Sequence, residues 1–239
     1  MGLRKPPLII AGLQKTSLID FPGMVSCVVF LTGCNFRCPY CHNPDLALGR
    51  YPMRLSPAAL IDLIGQRRAL LDGIVISGGE PTLWPQLPEL FMQFRQLGFA
   101  VKLDTNGSRP EMVTALIRDR LVDYIAMDLK SAPEDYGPPW APEGAGGAVQ
   151  QSIDAVMSSG VDYEFRATCA PGFVDAARIE AMAMAIRGAR RFILQKFNPT
   201  TVLDPEYGRS AAADNGQITA LAQLAAPFVQ SCTIRSAEQ

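Results

Sequence analysis

Cys34, Cys38 and Cys41 lie in the run Gly33-Cys34-Asn35-Phe36-Arg37-Cys38-Pro39-Tyr40-Cys41-His42-Asn43, a Cys-x3-Cys-x2-Cys spacing. Three thiolates on one short loop form a soft, anionic ligand set suited to zinc or to iron–sulfur centres. They are one short of a closed zinc site or a fully ligated four-iron cluster. Three chemistries fit that shortfall. His42 would complete a zinc set, but neighbours such as Cys41 and His42 rarely both reach one tetrahedral ion. His42 is also the only histidine in the chain, and no second cysteine pair stands at finger-like spacing. Alternatively Cys27, Cys169 or Cys232 would supply a fourth ligand to an iron–sulfur electron carrier, though none sits at a ferredoxin-like spacing. In the third chemistry a [4Fe–4S] cluster keeps one iron open, and that iron binds an exogenous ligand and acts on it. Cys27 and Cys232 otherwise read as packed thiols, since free cysteine is among the most buried residue types. Cys169, at a strand end, fits either role.

The elements that must position this loop follow from periodicity. A continuous β-branched run, Ser26–Leu31, reads as a strand covered on both faces, and the cysteine loop hangs from its end. Residues 8–20 read as a short hairpin, Leu8–Ala11 and Leu18–Asp20, broken at Gly12, with Phe21-Pro22-Gly23 as a turn. From there strand and helix alternate. Strands are expected at 73–77, 100–103, 124–127, 163–168 and 192–194, with a short one near Thr233-Ile234. Ser56-Pro57, Ser108 and Asp175 are expected helix starts. The first of these helices would bury Leu60, Ile61, Ile64 and Leu71. Such alternation implies parallel strands joined by right-handed crossovers. Eight units need about 250 residues, so 239 residues fit six units plus an N-terminal hairpin. The expected fold is α/β: an open, partial (β/α)6 TIM-like barrel of parallel strands. It would form one domain over 1–239, with 1–25 as the hairpin extension. The Pro/Gly-rich stretch 131–147 breaks the rhythm and is expected to be a long loop, serving as a lid, a docking loop or a plain surface insertion.

In a parallel barrel the site forms at the C-terminal ends of the strands. Polar and glycine-rich sequences fall at those ends here: Gly78-Gly79-Glu80-Pro81, Asp104-Thr105-Asn106-Gly107, Asp128 with Lys130, Arg166 with Cys169, and Gln195. Any one of them is ordinary turn chemistry; their convergence on the cysteine loop is not.

Composition narrows the partners. The chain is 48% apolar and 19% charged, as a folded globular chain should be. A net charge of −1 leaves no basic footprint, so nucleic-acid binding is not expected. No apolar run approaches the ~18 residues of a membrane span. Leu8-Ile9-Ile10 is too short for a signal-peptide core, which makes a cytoplasmic location the default. Six cysteines in such a chain favour metal or redox chemistry over a disulfide framework.

Cys-x3-Cys-x2-Cys with Tyr40 before its last cysteine, followed by a Gly-Gly-Glu-Pro strand end, resembles the radical S-adenosylmethionine (SAM) superfamily. Lys15-Thr16-Ser17-Leu18-Ile19-Asp20-Phe21-Pro22-Gly23, Cys41-His42-Asn43-Pro44, Asp104-Thr105-Asn106-Gly107 and Met127-Asp128-Leu129-Lys130 look closest to glycyl-radical enzyme activating enzymes. The opening and Leu194-Gln195-Lys196-Phe197 are similar to activating proteins of anaerobic (class III) ribonucleoside-triphosphate reductases. The resemblance implies one [4Fe–4S] cluster on Cys34, Cys38 and Cys41, with SAM chelating the open iron. It places Gly78, Gly79 and Glu80 at the methionyl amine. Tyr40, Asn43, Asp104, Thr105, Asp128, Lys130 and Gln195 fall elsewhere around SAM or an associated cation, and Arg166 near the substrate. The reduced cluster would cleave SAM, and the 5′-deoxyadenosyl radical would abstract a Cα hydrogen from a glycine of a partner enzyme, with flavodoxin or ferredoxin as electron donor. Relatives with more clusters carry further cysteines after the first motif. Residues 42–56 contain none, which implies a single cluster. The same motifs leave room for a small-molecule radical SAM enzyme, such as one similar to 7-carboxy-7-deazaguanine synthase. A non-catalytic iron–sulfur carrier would need four protein ligands and no SAM.

Overall fold

The computed structural model describes residues 7–210, 212 and 214–235. The first six residues of the expected N-terminal extension, and the last four of the chain, lie outside them. One eight-stranded sheet runs in chain order: β1 (Ile10–Ser17), β2 (Ser26–Leu31), β3 (Gly73–Gly78), β4 (Ala100–Thr105), β5 (Tyr124–Asp128), β6 (Asp162–Cys169), β7 (Phe192–Lys196) and β8 (Cys232–Arg235). β1 is antiparallel to β2, and every later pairing is parallel. The two outer strands do not pair with each other, so the sheet is an open barrel. The expected α/β architecture of parallel strands with crossover helices is therefore present.

The hairpin differs from the sequence expectation. β1 pairs with β2 rather than within residues 8–20, in the register Leu13↔Val29 and Gln14↔Val28. Gly12 does not break the strand; it pairs with Phe30 beside a register irregularity. Leu18 and Ile19 suggested a second strand because they are apolar, yet they are 74% and 57% exposed. They sit in a tight turn where Ser17 Oγ accepts the backbone N–H groups of Ile19 and Asp20 at 3.2 Å each. That turn offers local hydrogen bonds in competition with a ladder.

The helices are α1 (Pro44–Ala47), α2 (Pro57–Gly65), α3 (Leu87–Gln96), α4 (Pro110–Arg118), α5 (Ala145–Ser158), α6 (Ala176–Ala185) and α7 (Asn215–Ala225). Ser56 and Asp175 cap α2 and α6 as their sequences indicate, each accepting a backbone N–H three residues on. Leu71 is buried but lies beyond the end of α2. Ser108 is not the cap of α4. Arg109 holds that position ahead of Pro110, and the Ser108 hydroxyl accepts from Asn35 Nδ2 at 2.9 Å instead. The 131–147 stretch is shorter as a loop than expected, since its last three residues form the start of α5. The rest is a strap with a 3-10 turn at Pro133–Asp135. Among the described residues no helix is long and apolar enough to cross a membrane.

Side chains pointing out of the sheet form the main core with the helices, including Phe91, Phe94, Phe165 and Phe192. Side chains pointing inward change character with height. A small apolar group, Phe21, Val28, Val75, Tyr124 and Ala126, packs at the lower end of the lumen. Nearer the C-terminal strand ends the lumen turns polar. It carries Asp128 from β5 and Arg166 from β6 above Asp104 of β4 and Glu164 of β6, which stand level with Ala126, while Lys102 of β4 stands lower, level with Val75 and Tyr124.

Candidate active site

The strand ends enclose a cavity of about 210 Å³. The loop after β2 contributes Cys34, Phe36, Cys38, Tyr40, Cys41, His42 and Asn43 to its wall. β3 adds Ser77, Gly78 and Gly79, and β4 adds Asp104, Thr105 and the following Asn106. Asp128, Lys130, Thr168 and Gln195 complete the ring from β5, β6 and β7. Six successive strands thus converge on the three thiols.

The cysteine loop is held from several sides. The amides of Gly33 and Cys34 donate to Leu46 O and Ala47 O at 2.8 and 3.0 Å, tying its start to α1. Gly79 N–H donates to Leu31 O at 2.9 Å and Glu80 N–H to Gly33 O at 2.8 Å, tying it to β3. This approach explains the glycine pair. A Cβ on Gly79 would lie 2.0 Å from Gly33 O, and one on Gly78 2.1 Å from Leu31 O. Gly78 also has φ +129°, a conformation that side-chain-bearing residues rarely adopt. Asn106 Nδ2 reaches Cys34 Sγ at 3.8 Å and Asn35 Oδ1 at 3.2 Å, tying the loop to β4. The strap closes the remaining flank, where Arg37 N–H donates to Trp140 O at 2.7 Å. There Phe36 packs between Tyr136 and Trp140, with ring centroids 5.8 Å from each.

Glu80 lies outside the cavity wall, fully buried. Its carboxylate accepts from Thr82 N and Thr82 Oγ1, from Thr105 Oγ1 at 2.8 Å, and from Asn106 N at 2.6 Å. Burial raises its pKa, and these four donors act against that rise. Glu80 therefore braces the end of β3 to the end of β4. Arg166 also lies off the wall, buried among carboxylates. Its Nε is 2.7 Å from Asp128 Oδ1, and its Nη1 is 3.5 Å from Asp104 Oδ2 and 4.0 Å from Glu164 Oε1. Lys102, 2% exposed, sits 2.9 Å from Asp104 Oδ1 and donates to Asp20 O at 2.6 Å. Lys130 Nζ is 3.2 Å from Asp128 Oδ2. Burial opposes ionisation of Asp104 and Asp128, but Arg166 first, with Lys102 for Asp104 and Lys130 for Asp128, outweighs it. Both carboxyls end below their ordinary range. The cavity is thus lined by fixed charges of both signs: two carboxylates and one ammonium.

The donor set fits an iron–sulfur cluster. Burial above all holds the Cys34 thiol up at about 12 and Cys38 at about 11, so iron must displace their protons. Among the described residues no three His, Cys, Asp or Glu side chains gather closely enough to hold one ion. Cys34, Cys38 and Cys41 line the cavity and Cys27, Cys169 and Cys232 do not, so the set suits a cluster that takes one thiolate per iron and leaves one iron for an outside ligand. His42 does line the cavity, beside rather than within the thiol set.

Residues 28–185 match the radical SAM superfamily model. A Methanocaldococcus jannaschii protein provisionally named a glycyl-radical enzyme activating enzyme is 31% identical over 233 residues, covering 95% of this chain and 96% of that protein. This chain is a radical SAM enzyme of the glycyl-radical activating family. A pyruvate formate-lyase-activating enzyme from Clostridium pasteurianum is 27% identical over 187 residues, 76% of this chain and 77% of its own. The crystal structure of Streptococcus suis SuiB bound to S-adenosylmethionine matches 86% of this chain with a TM-score of 0.66 at 13% identity, a likeness of fold. This chain spans 48% of that longer one. The superfamily works with a [4Fe–4S] cluster and SAM.

The structure brings most of the sequence candidates to one place. Cys34, Cys38, Tyr40, Cys41, Asn43, Gly78, Gly79, Asp104, Thr105, Asp128, Lys130 and Gln195 share one wall; Glu80 and Arg166 stand behind it. Ser77 and Thr168 also line the cavity. Period-two counting along β6 from Arg166 would have found Thr168, because both side chains point inward. The same count back along β4 from Asp104 gives Lys102, although a lysine inside a strand normally marks a solvent-facing position.

Proposed function

We propose that this protein is an activase that generates a glycyl radical on a partner enzyme, and that the partner is an anaerobic ribonucleoside-triphosphate reductase. The observation that carries the activase reading is the meeting of three thiols from one loop with charged and glycine-rich strand ends in a single cavity, in a chain aligned nearly end to end with an activating-enzyme relative. The reductase assignment is supported by the resemblance of Lys15–Gly23 and of Leu194–Phe197 to reductase activators.

In this reading Cys34, Cys38 and Cys41 each hold one iron of the cluster. The backbone of Gly78 and Gly79, with Tyr40, Asn43, Asp104, Thr105, Asp128, Lys130 and Gln195, surrounds SAM. When bound, cluster and SAM supply a carbon-centred radical able to take a hydrogen atom from a peptide Cα. The chain's own residues place and insulate that chemistry. Asp104 and Asp128, kept ionised by Arg166, Lys102 and Lys130, offer fixed charge to a zwitterionic ligand. The rings of Phe36 and Tyr40, both buried, keep water from the cysteine loop.

The test is an anaerobic mixture of reconstituted protein, SAM, dithionite and candidate glycyl-radical enzymes, followed by electron paramagnetic resonance. A glycyl doublet on the reductase supports the proposal. A doublet only on another glycyl enzyme overturns the partner assignment. SAM cleavage to 5′-deoxyadenosine with no protein radical on any of them moves the reading to a small-molecule substrate.

A further inference from the structure

A glycine inside a strand weakens it, so its presence there calls for a cause. Gly78 and Gly79 have one in the backbones they meet. Gly12, in β1, does not. Its φ lies outside the left-handed region. A Cβ on it would meet nothing closer than Phe30 Cδ2 at 3.6 Å, an ordinary van der Waals contact. The register irregularity beside it needs no glycine either, since only the bulge type with a left-handed first residue demands one. The fold itself would accept a side chain at residue 12.

Gly12 pairs with Phe30, so a side chain there would stand on the same side of the sheet as the Phe30 ring. That side opens onto a second cavity, of about 290 Å³, whose wall includes Gly12, Phe30, His42, Asn43, Tyr51 and Thr201. It therefore lies on the open side of the barrel, between β1 and the segment that follows β7. His42 and Asn43 also line the cavity that holds the three thiols, so the two spaces adjoin across them. The wall brings a single carboxylate, Asp45, and Arg50 answers it at 3.5 Å. Tyr51 is 42% exposed.

We propose that this outer cavity is the groove for the partner's backbone beside the target glycine, and that Gly12 is a specificity-determining residue of the reaction. The occupant is one extended segment of the partner enzyme, with its glycine in the inner cavity and the neighbouring residue lying over Gly12. Close approach of a second backbone is what a bare strand position permits. The shared wall at His42 and Asn43 makes groove and reaction site continuous. A lining of small and apolar residues, with its one acid already paired, suits a peptide better than an ionic ligand. The proposal rests on the activase reading, which supplies the peptide.

The test is binding of fluorescein-labelled peptides, each spanning the target glycine of one candidate glycyl-radical enzyme, to the reconstituted full-length protein with SAM, read as anisotropy. Gly12→Val is expected to weaken binding of the recognised peptide about tenfold, and Gly12→Ala less. Iron content should not change, and the urea midpoint should stay at or above wild type, because valine favours a strand. Tyr51→Ala, at an exposed position of the same wall, is expected to weaken binding with iron kept. It decides the matter, with Gly12→Ala, if Gly12→Val loses iron. Unchanged peptide binding in an iron-replete Gly12→Val overturns the groove. So does a loss of iron or stability in Gly12→Ala, which would show that the glycine serves the fold. The two readings fail differently. A glycyl radical on a whole partner, with a half-saturating concentration that Gly12→Val leaves unchanged, overturns the groove and keeps the activase. A peptide bound by wild type and lost by Gly12→Val, with no glycyl radical on any partner, sinks the activase reading and keeps the groove.

Discussion

A Cβ on Gly79 would lie 2.0 Å from Gly33 O and 2.5 Å from Gly33 C, where no flexible side chain can yield. The backbone of the cysteine loop would have to move. Gly79→Ala is therefore expected to keep the fold's circular dichroism but to bind less than half the wild-type iron after anaerobic reconstitution, read by iron assay and visible absorbance. Glu80 makes a second case. Four donors converge on its carboxylate, and an amide in its place turns an acceptor into a clashing donor. Glu80→Gln is expected to cost about 1–3 kcal/mol in urea unfolding. The contrast shows what was legible at this scale. The cysteine spacing was plain from the sequence because metal ligation needs particular side chains at particular intervals. The Gly-Gly pair stands out in the sequence as a place for a ligand, and the structure adds that two backbones touch there. Nothing in a linear sequence distinguishes those causes, because the contact joins residues 79 and 33 across the sheet.

The strap between β5 and α5 is the element that sequence reasoning left undefined. Its proline and glycine content hides the fact that Tyr136 and Trp140 anchor it. Lys130 N–H donates to Tyr136 Oη at 2.6 Å, while Trp140 O receives Arg37 N–H. One short segment therefore joins the strand end bearing Asp128 and Lys130 to the loop bearing the thiols. Tyr136→Phe keeps the ring against Phe36 but strands the Lys130 amide. It is expected to cost about 1–3 kcal/mol and to speed loss of iron to a chelator, measured as the decay of cluster absorbance. The capped helices were easier to read. Ser56 and Asp175 declare α2 and α6 because a capping side chain acts on its own next turn. Ser108 misled for the same reason, since a hydroxyl before a helix invites a local role and here serves Asn35 on another element.

Across the whole molecule, Arg166 is the hub of a buried ion network. Asp104 on β4, Asp128 on β5 and Glu164 on β6 face it, Lys102 carries the chain of contacts down to Asp20, and Arg235 on β8 reaches Glu164 at 3.5 Å. Removing the hub leaves carboxylates buried without their main partner, so Arg166→Met is expected to destabilise the protein by about 3–5 kcal/mol at pH 7. The pH dependence has a definite sign. Asp104 and Asp128 are depressed in the folded state, so their ion pairs add stability above the unfolded carboxylate range of about 4 and lose it as pH falls through the folded values. Urea titrations should therefore show the gap between wild type and Arg166→Met widest near neutrality and narrowing below about pH 4; a gap that stays constant or widens in acid would refute the network. The open parallel barrel was legible because strand–helix alternation is a local pattern repeated along the chain. The lumen network was not: Asp104, Asp128 and Arg166 stand out as strand-end residues, but Lys102 and Glu164 look solvent-facing until the sheet curls around them, and no local pattern pairs the five. That curl stops short: β1 and β8 never meet. A closed ring admits only what can be threaded through it from a free end. A sheet with a seam can also be entered sideways, but here the segment after β7 lies across the mouth, where Asp204 N–H donates to Pro39 O at 2.9 Å and Phe197 packs on His42. A loop fixed at both ends can therefore be laid in and lifted out only as that segment swings aside and back.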